Sequence, residues 1–446
     1  MNAKTDQHYW VKSGSLVLFQ NAMSLMFGFG SFYLLVRMLD KNSYGVWTLF
    51  LATTTIIDLA RSGLVQNALI KYLSSSSEQE YPDILSASFF ISGMLMICCI
   101  VLNISLAHYF AGLWHYGGLV SMFYVFNIVY FLQGVLSQLQ WIEQANLRFT
   151  GVFVTNFIKL GGYFGYVLIC FLFHLNLTLM SLIYVQAISV GIATGVEYFF
   201  VKKFLFFSID FKWNWIKKLF NYGKYAFGTS ISAILAVTID QMMLGALLSP
   251  AASGAFNIAI RITNLAEIPT NTFATIVFPQ SSRRSVTEGH HVVKYLYEKS
   301  VGIVLALLIP IMVVVFFFPG FFVHIIAGSK YPETIPILRI TTLYCLIMPF
   351  GRQFGTAIDS IGKPYITFTL ILLSAIFILV LNFILIKQMG IMGAVYASLI
   401  GNTIAAIAML IILYKLLGVR FVNAFKYASK FYPDFFRSYI KPVFSK

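Results

Sequence analysis

Long apolar stretches separated by short polar segments recur along almost the whole chain. Each contains about 20 residues, the length that an α-helix needs to cross the hydrocarbon core of a bilayer. We therefore predict an all-α polytopic membrane protein. Twelve transmembrane helices are predicted, at about 15–39, 46–70, 84–107, 118–138, 150–173, 178–200, 225–248, 254–279, 299–318, 335–358, 366–387 and 391–416.

Charged residues in the polar segments predict the orientation of the chain. Of the 446 residues, 59% are hydrophobic and only 11% are charged, with a formal net charge of +15. Most of the 31 Lys and Arg residues fall in alternate connections, notably 201–224, 280–299 and the segment after 416. Because positive residues favour the cytoplasmic side, both termini are predicted to be cytoplasmic. Membrane topology then explains the positive charge, so we expect no nucleic-acid partner.

One pattern of residues occurs twice, 209 positions apart. The matched pairs are Gly14 and Gly223, Leu39 and Leu248, Gly45 and Gly254, Trp47 and Phe256, and Asp58 and Glu267. Six spans per half give both halves the same orientation, which predicts two six-helix bundles related by a parallel internal repeat. The alternative is chance similarity between apolar helices. The predicted domains are an N-terminal lobe (1–205), a cytoplasmic linker (206–224), a C-terminal lobe (225–417) and a basic cytoplasmic tail (418–446).

Polar and ionisable residues inside the spans are the candidate site residues. A charge at the centre of a bilayer costs about 2.5–3.5 kcal/mol on insertion scales, so it usually faces a polar cavity or a partner. Cations there suit an anionic solute, because the planar fork of Arg binds two oxygens at once, whereas buried acids suit a proton or cation. The substrate-binding candidates are Arg61, Lys159, Asn257, Arg261 and Asn264. The ion-coupling candidates are Asp58, Asp240 and Glu267.

A purely structural interpretation remains open for several of these charges. Asp58 and Arg61 lie three residues apart on one helical face, where they could do no more than neutralise each other. Glu267 could pair with Arg261 in the same way. Arg352 lies nearer the end of its span and is interpreted as an interface anchor.

Asn257, Arg261 and Asn264 have the spacing i, i+4, i+7, which predicts one polar stripe on a helix. Glu267 lies about 120° to the side of this stripe and would approach it only in a bent helix. Pro269 gives a physical reason for a bend.

Five segments, in order, resemble the polysaccharide (O-antigen-type) flippases of the MATE-like multidrug/oligosaccharidyl-lipid/polysaccharide superfamily. They are Arg37–Trp47, Asp240–Ser249, Gly254–Arg261, Phe278–Arg283 and Gly362–Pro364. The resemblance covers nearly the whole chain and implies two six-helix bundles arranged as a V around a central cavity. Asp240, Asn257 and Arg261 match the family pattern, whereas Asp58, Arg61 and Lys159 are selected only as buried charges.

The resemblance implies a transporter rather than an enzyme. Its substrate would be a polyprenyl-diphosphate-linked oligosaccharide, turned from the cytoplasmic to the outer face of a bacterial inner membrane. From the buried acids we predict that an ion or proton gradient drives alternating access through Asp58 or Glu267. The implied partners are this lipid-linked oligosaccharide, membrane lipids, a glycan polymerase and other polysaccharide assembly proteins. The chain shows no Walker A stretch, catalytic triad or metal-ligand spacing, so no cofactor and no metal are expected.

Two other functions stay open at this point. The first is a multidrug exporter of the same superfamily, for which an acid-rich cavity would be typical. The second is a membrane glycan polymerase or ligase, for which one long outer loop would be typical, and the predicted outer connections are all short. The basic, aromatic segment from Phe421 to Lys446 fits either a helix on an anionic inner leaflet or a solvated tail.

Overall fold

The computed structural model describes residues 3–208 and 212–435. Within these ranges the chain forms fifteen α-helices, three short 3₁₀ turns and no β-strand. The all-α prediction is therefore confirmed. The helices are α1 (Ala3–Met38), α2 (Lys41–Ser74), α3 (Tyr81–Leu113), α4 (Gly118–Ala145), α5 (Thr150–Leu172), α6 (Leu179–Val201), α7 (Trp213–Leu247), α8 (Pro250–Thr263), α9 (Glu267–Thr287), α10 (His290–Phe317), α11 (Pro319–Ala327), α12 (Thr334–Ser360), α13 (Pro364–Met389), α14 (Ile391–Leu417) and α15 (Phe421–Phe435).

Ten helices in the described ranges are long and apolar enough to cross a membrane, which makes the chain a multi-pass membrane protein. They are α1 from Phe19 onward, α2 to α6, α10 and α12 to α14. The two other predicted spans correspond to α7 and to the pair α8 and α9. Helix α8 has only 14 residues, and α9 carries Glu267 and Arg284 in its first and last turns. Twelve spans therefore stay a prediction.

Helix boundaries follow the repeat that the sequence predicts. Met38 and Leu247 end α1 and α7, and Lys41 and Pro250 begin α2 and α8, each pair 209 residues apart. Tyr81 and His290 begin α3 and α10 at the same offset. The end of the first helix and the starts of the next two long segments thus lie at equivalent residues in each half.

The residues that start α2 and α8 also correspond. Asp40 precedes α2, and its carboxylate accepts hydrogen bonds from the backbone N–H groups of Asn42 and Ser43 at 2.9 and 3.0 Å. Ser249 precedes α8 and accepts one from the N–H of Ala252 at 3.2 Å. Both satisfy amide groups that the first turn of a helix leaves without partners. Helix initiation at this point of the repeat is therefore encoded locally in each half.

The chain divides into two compact units, Met1–Leu235 and Ala236–Lys446. In unit 1, α4 packs against α3, α5 and α6, and α2 packs against α3 and α4. Helix α7 begins at Trp213, inside the segment predicted as a linker, and its buried Ile216 and Leu219 join the core formed by α2, α3 and α4.

In unit 2, α10 and α12 form the centre, with α9, α14 and α15 packed on them. A 3₁₀ turn at Asn264–Ala266 separates α8 from α9, although one continuous span is predicted there. Pro269 explains this break, because a proline has no N–H to donate to the carbonyl of Leu265, four residues earlier. Helix α11 lies in a connection for which no helix is predicted.

Gly223, which the repeat matches to Gly14, lies where α7 crosses α2. A Cβ atom on Gly223 would lie 1.9 Å from the carbonyl oxygen of Leu64, a backbone atom that no side-chain rotation can move away. Only glycine allows this approach.

We expect Gly223→Ala to lower the stability of the protein by about 1–3 kcal/mol, because the two helices must separate to admit the methyl group. Gly228→Ala on the same helix is the matched control, since no atom lies within 4 Å of its added Cβ. Thermal unfolding in detergent measures both. Equal melting temperatures for the two variants would show that the close contact is absent.

Candidate functional site

The first polar cluster lies in unit 1 around Arg61 on α2. Its Nη2 and Nε donate to Oδ1 of Asp58 at 2.8 and 3.1 Å, so the predicted pair forms within one helix. Arg61 is only 2% exposed, whereas the Asp58 side chain is 31% exposed. The guanidinium is therefore inside the unit, and the carboxylate faces its margin.

Helix α4 supplies the other contacts of Arg61. Nη2 lies 3.4 Å from the hydroxyl oxygen of Ser137, and the guanidinium lies 5.7 Å from the centre of the Trp141 ring. Nη1 is buried and has no hydrogen-bond partner in the part of the chain that the structure describes. Arg61 consequently buries one N–H₂ group without an acceptor among the described residues.

Lys159 on α5 belongs to the same neighbourhood. It is half-buried and close enough to Asp58 to interact electrostatically, although no direct ion pair joins them in the described ranges. The structure thus brings two predicted substrate-binding cations and one predicted ion-coupling acid together within unit 1.

The second polar cluster lies in unit 2 around Asp240 on α7. The amide of Asn382 on α13 donates to its Oδ1 at 2.5 Å, and the hydroxyl of Ser398 on α14 donates to its Oδ2. Both donors are neutral, and no cationic side chain of the described residues lies within 4.0 Å of the carboxylate. One half-buried acid therefore joins three helices without a counter-ion among the described residues.

This cluster is rich in oxygen atoms. The carboxylate of Asp240, the hydroxyl of Ser398 and the amide oxygen of Asn382 lie together, and that amide oxygen has no hydrogen-bond partner within the described ranges. Oxygen donors with one net negative charge suit a proton or a small hard cation. Across residues 3–208 and 212–435, no group of three His, Cys, Asp or Glu residues could hold a metal ion.

Asn257 is fixed next to this cluster. Its amide donates to Oε1 of Gln241 at 2.9 Å, and Gln241 directly follows Asp240. Asn257 is buried, Asn264 is half-buried in the 3₁₀ turn, and Arg261 is exposed in the last turn of α8. The members of the predicted stripe therefore differ strongly in solvent exposure.

Glu267 begins α9 and is half-buried. Arg352 on α12, which the sequence predicts to be an interface anchor, lies within electrostatic range of Glu267. Tyr344, also on α12, lies within electrostatic range of both Glu267 and Asp240. Glu267 and Asp240 are therefore neighbours of one tyrosine in unit 2.

Sequence reasoning missed a second pair of buried acids, in unit 1. Glu143 on α4 accepts hydrogen bonds from the backbone N–H groups of Gly151 and Val152 at 2.9 and 2.7 Å, which anchors the start of α5. Glu197 on α6 is fully buried and accepts one from the hydroxyl of Thr155 at 3.0 Å. Both acids lie near the predicted ends of spans. Because charges at span ends are commonly exposed, neither acid was selected as a buried charge.

Asn382 and Ser398 were missed as well. Asn382 interrupts an apolar run in α13, and that interruption is a signal that could have drawn attention to it. Ser398 offers no such signal, because serine is common in membrane helices.

We expect Asp58→Asn to reduce stability by about 3 kcal/mol, because it leaves the buried guanidinium of Arg61 without its counter-charge. The double variant Asp58→Asn with Arg61→Gln should recover most of that loss. Glu288→Gln is the matched control. It breaks the exposed Arg284–Glu288 pair of 2.7 Å and should leave the melting temperature almost unchanged, because solvent screens an exposed pair.

Thermal unfolding of the four proteins in detergent provides the measurement. If the double variant were as unstable as Asp58→Asn alone, the unpaired charge of Arg61 could not be the cause of the instability.

Comparisons with known proteins place this geometry in context. The chain is 25% identical over 182 residues to the "Probable low-salt glycan biosynthesis flippase Agl15" of Haloferax volcanii, covering 41% of this chain and 39% of that protein. The chain spans about two fifths of the length of the curated relatives it matches.

Two solved structures share the fold. An inward-facing multidrug resistance transporter of the MATE family superposes with a TM-score of 0.75 and 15% identity, over 87% of this chain and 93% of that one. The lipid II flippase MurJ in its inward closed conformation superposes with a TM-score of 0.71 and 14% identity, over 92% of this chain and 89% of that one. The predicted MATE-like fold is therefore confirmed.

A family model described as "Polysaccharide biosynthesis protein" matches residues 34–336, which is more than half of the chain and includes Arg61 and Asp240 but not Asn382 or Ser398. The predicted resemblance is confirmed by this match. The chain belongs to the polysaccharide biosynthesis protein family.

Proposed function

We propose that the protein is a flippase that moves a polyprenyl-diphosphate-linked oligosaccharide across a cytoplasmic membrane by alternating access. A surface polysaccharide repeat unit such as O-antigen, in a bacterial inner membrane, is the cargo we favour. The protein acts as a transporter and not as an enzyme. The relative named as a glycan biosynthesis flippase supports this choice.

The buried guanidinium of Arg61 is the observation that carries the proposal. A cation inside a membrane helix is costly and is retained where it faces a partner or a site. Asp58 neutralises its charge on one side, yet Nη1 has no hydrogen-bond partner in the described structure, and Lys159 adds a second cation close by. A diphosphate offers the charge and the oxygen acceptors that these N–H groups need.

Arg261, Asn257 and Asn264 complete the proposed substrate-binding set in unit 2. Arg261 is exposed on α8, and Asn257 is held by Gln241. Asp240, Asp58 and Glu267 form the proposed ion-coupling set.

Asp240 is the member of that coupling set with the clearest geometry. Its carboxylate is held by two neutral donors from α13 and α14, so binding of a proton or cation changes the contacts of three helices at once. A bistable packing of helices is the kind of element that an ion gradient can drive. A glycan polymerase and other polysaccharide assembly proteins are the proposed partners.

A multidrug exporter is the second candidate function. The similarity to a MATE multidrug transporter, with a TM-score of 0.75, favours it. The cations Arg61 and Lys159 disfavour it, because cationic drugs require an acidic binding site.

Deletion of the gene in its host separates the two functions. We expect surface glycan to be lost and lipid-linked repeat units to accumulate inside the membrane, since assembly continues while translocation stops. Re-expression of the wild-type gene should restore the surface glycan. Unaltered glycan together with raised sensitivity to cationic drugs would instead identify an exporter and contradict the proposal.

A further inference from the structure

Helix α15, which follows the last long apolar helix, is attached to α10 by a buried acid. Glu298 on α10 is only 3% exposed, and its two oxygens accept hydrogen bonds from the backbone N–H of Arg420 at 2.8 Å and the amide of Asn423 at 3.0 Å. The carboxylate thus satisfies backbone and side-chain donors at the start of α15. The position of this helix is therefore fixed.

Close packing continues farther along the two helices. A Cβ atom on Gly302 would lie 2.6 Å from both the carbonyl oxygen of Ala424 and the Cβ of Tyr427. The hydroxyl of Tyr432 donates to the carbonyl oxygen of Ala306 at 2.5 Å. Helix α15 is consequently an integral part of unit 2.

An apolar groove of about 460 Å³ lies between α12, α14 and α15. Phe421 and Phe425 of α15 form one wall and are 47% and 42% exposed. Phe350 of α12 lies against Phe421, with the ring centres 5.2 Å apart. Thr403 is the one lining residue with a polar side chain, so the groove suits a hydrocarbon occupant.

The dimensions of the groove suit a single lipid chain. Along α14 its lining runs from Thr403 to Leu410, which is about 10 Å at the rise of an α-helix. Ala406, between them, leaves space that a larger side chain would fill. One segment of an acyl chain fits such a space.

Three cations lie in or next to the turn between α14 and α15, which adjoins the groove at Phe421. Lys415 is in the last turn of α14, and Arg420 directly precedes Phe421, which lines the groove. Lys294 of α10 reaches the same turn, because its Nζ lies 3.9 Å from the Cβ that Gly418 would carry. No carboxylate in the described ranges forms an ion pair within 4.0 Å with any of these three side chains. The nearby carboxylate of Glu298 accepts hydrogen bonds from the backbone N–H of Arg420 and the amide of Asn423 instead.

We propose that this groove binds one acyl chain of an anionic phospholipid whose phosphate lies at the turn around Gly418. The positive charge at the turn favours an anionic headgroup. The groove wall formed by α15 begins at Phe421, next to this turn, so the acyl chain of the same lipid can enter the groove. The predicted cytoplasmic termini place this turn at the cytoplasmic leaflet, where anionic lipids are found. The site is independent of the cargo that the protein carries.

Lipid retention by the purified, full-length protein tests the charge requirement. Phosphatidylglycerol and phosphatidylcholine are the two probes, and native mass spectrometry measures their binding. Wild type should bind phosphatidylglycerol in preference. The double variant Lys415→Gln with Arg420→Gln should weaken phosphatidylglycerol binding about 25-fold, since each cation near an anionic headgroup contributes about fivefold.

Lys330→Gln with Lys387→Gln is the matched charge control in unit 2, away from the groove, and should bind phosphatidylglycerol as wild type does. Equal binding of both phospholipids by wild type, or equal loss in the two double variants, would overturn the proposal.

Filling the groove tests the chain site. Thr403→Phe and Ala406→Phe should each abolish tight binding of phosphatidylglycerol, whereas Ile404→Phe, which enlarges a lipid-exposed side chain of the same helix, should not. Thermal unfolding identifies any variant that fails to fold. If one of the two groove-filling variants does not fold, lipid binding by the other provides the test. Retained binding in a folded filling variant would overturn the proposal. So would displacement of phosphatidylglycerol by a polyprenyl phosphate, which would assign the groove to the carried lipid.

Discussion

The absence of water around a membrane helix is the constraint on which this structure depends, because each polar group there needs an internal partner or a ligand. The two units meet this constraint differently. In unit 1 the buried cation Arg61 is balanced within its own helix by Asp58. In unit 2 the acid Asp240 is held by neutral groups from two other helices, so its charge is solvated without being neutralised. A group of the second kind is the one that a mobile ion can neutralise.

The first helices of the two halves correspond in their boundaries, yet their polar residues differ in chemistry. Equivalent boundaries at Met38 and Leu247 show how closely the first elements correspond. Asp58 and Glu267 occupy matched positions, yet Asp58 lies within the unbroken α2, whereas Glu267 follows a 3₁₀ turn. Pro269 accounts for that difference, since it removes a backbone donor only in the second copy. The break separates the polar residues of α8 from those of α9.

Local pattern predicted much of this architecture. Apolar length predicted the spans, and a spacing of three residues predicted the pair of Asp58 and Arg61. The partners of Asp240 could not be predicted, because Asn382 and Ser398 are 142 and 158 residues away and only tertiary packing brings them together. The electrostatic influence of Arg352 on Glu267 could not be predicted for the same reason, since Arg352 lies on α12, far from Glu267 in sequence.

Transport by the purified protein in proteoliposomes tests the central claim, that Asp240 couples an ion to movement of a lipid-linked glycan. The readout is the fraction of a polyprenyl-diphosphate oligosaccharide that an external glycosidase can reach, with and without an imposed sodium or proton gradient. We predict that wild type moves the glycan faster with a gradient and that Asp240→Asn removes this dependence while the protein stays folded, because the amide keeps the size of the carboxylate and loses its charge. Full gradient-driven transport by Asp240→Asn would contradict the account.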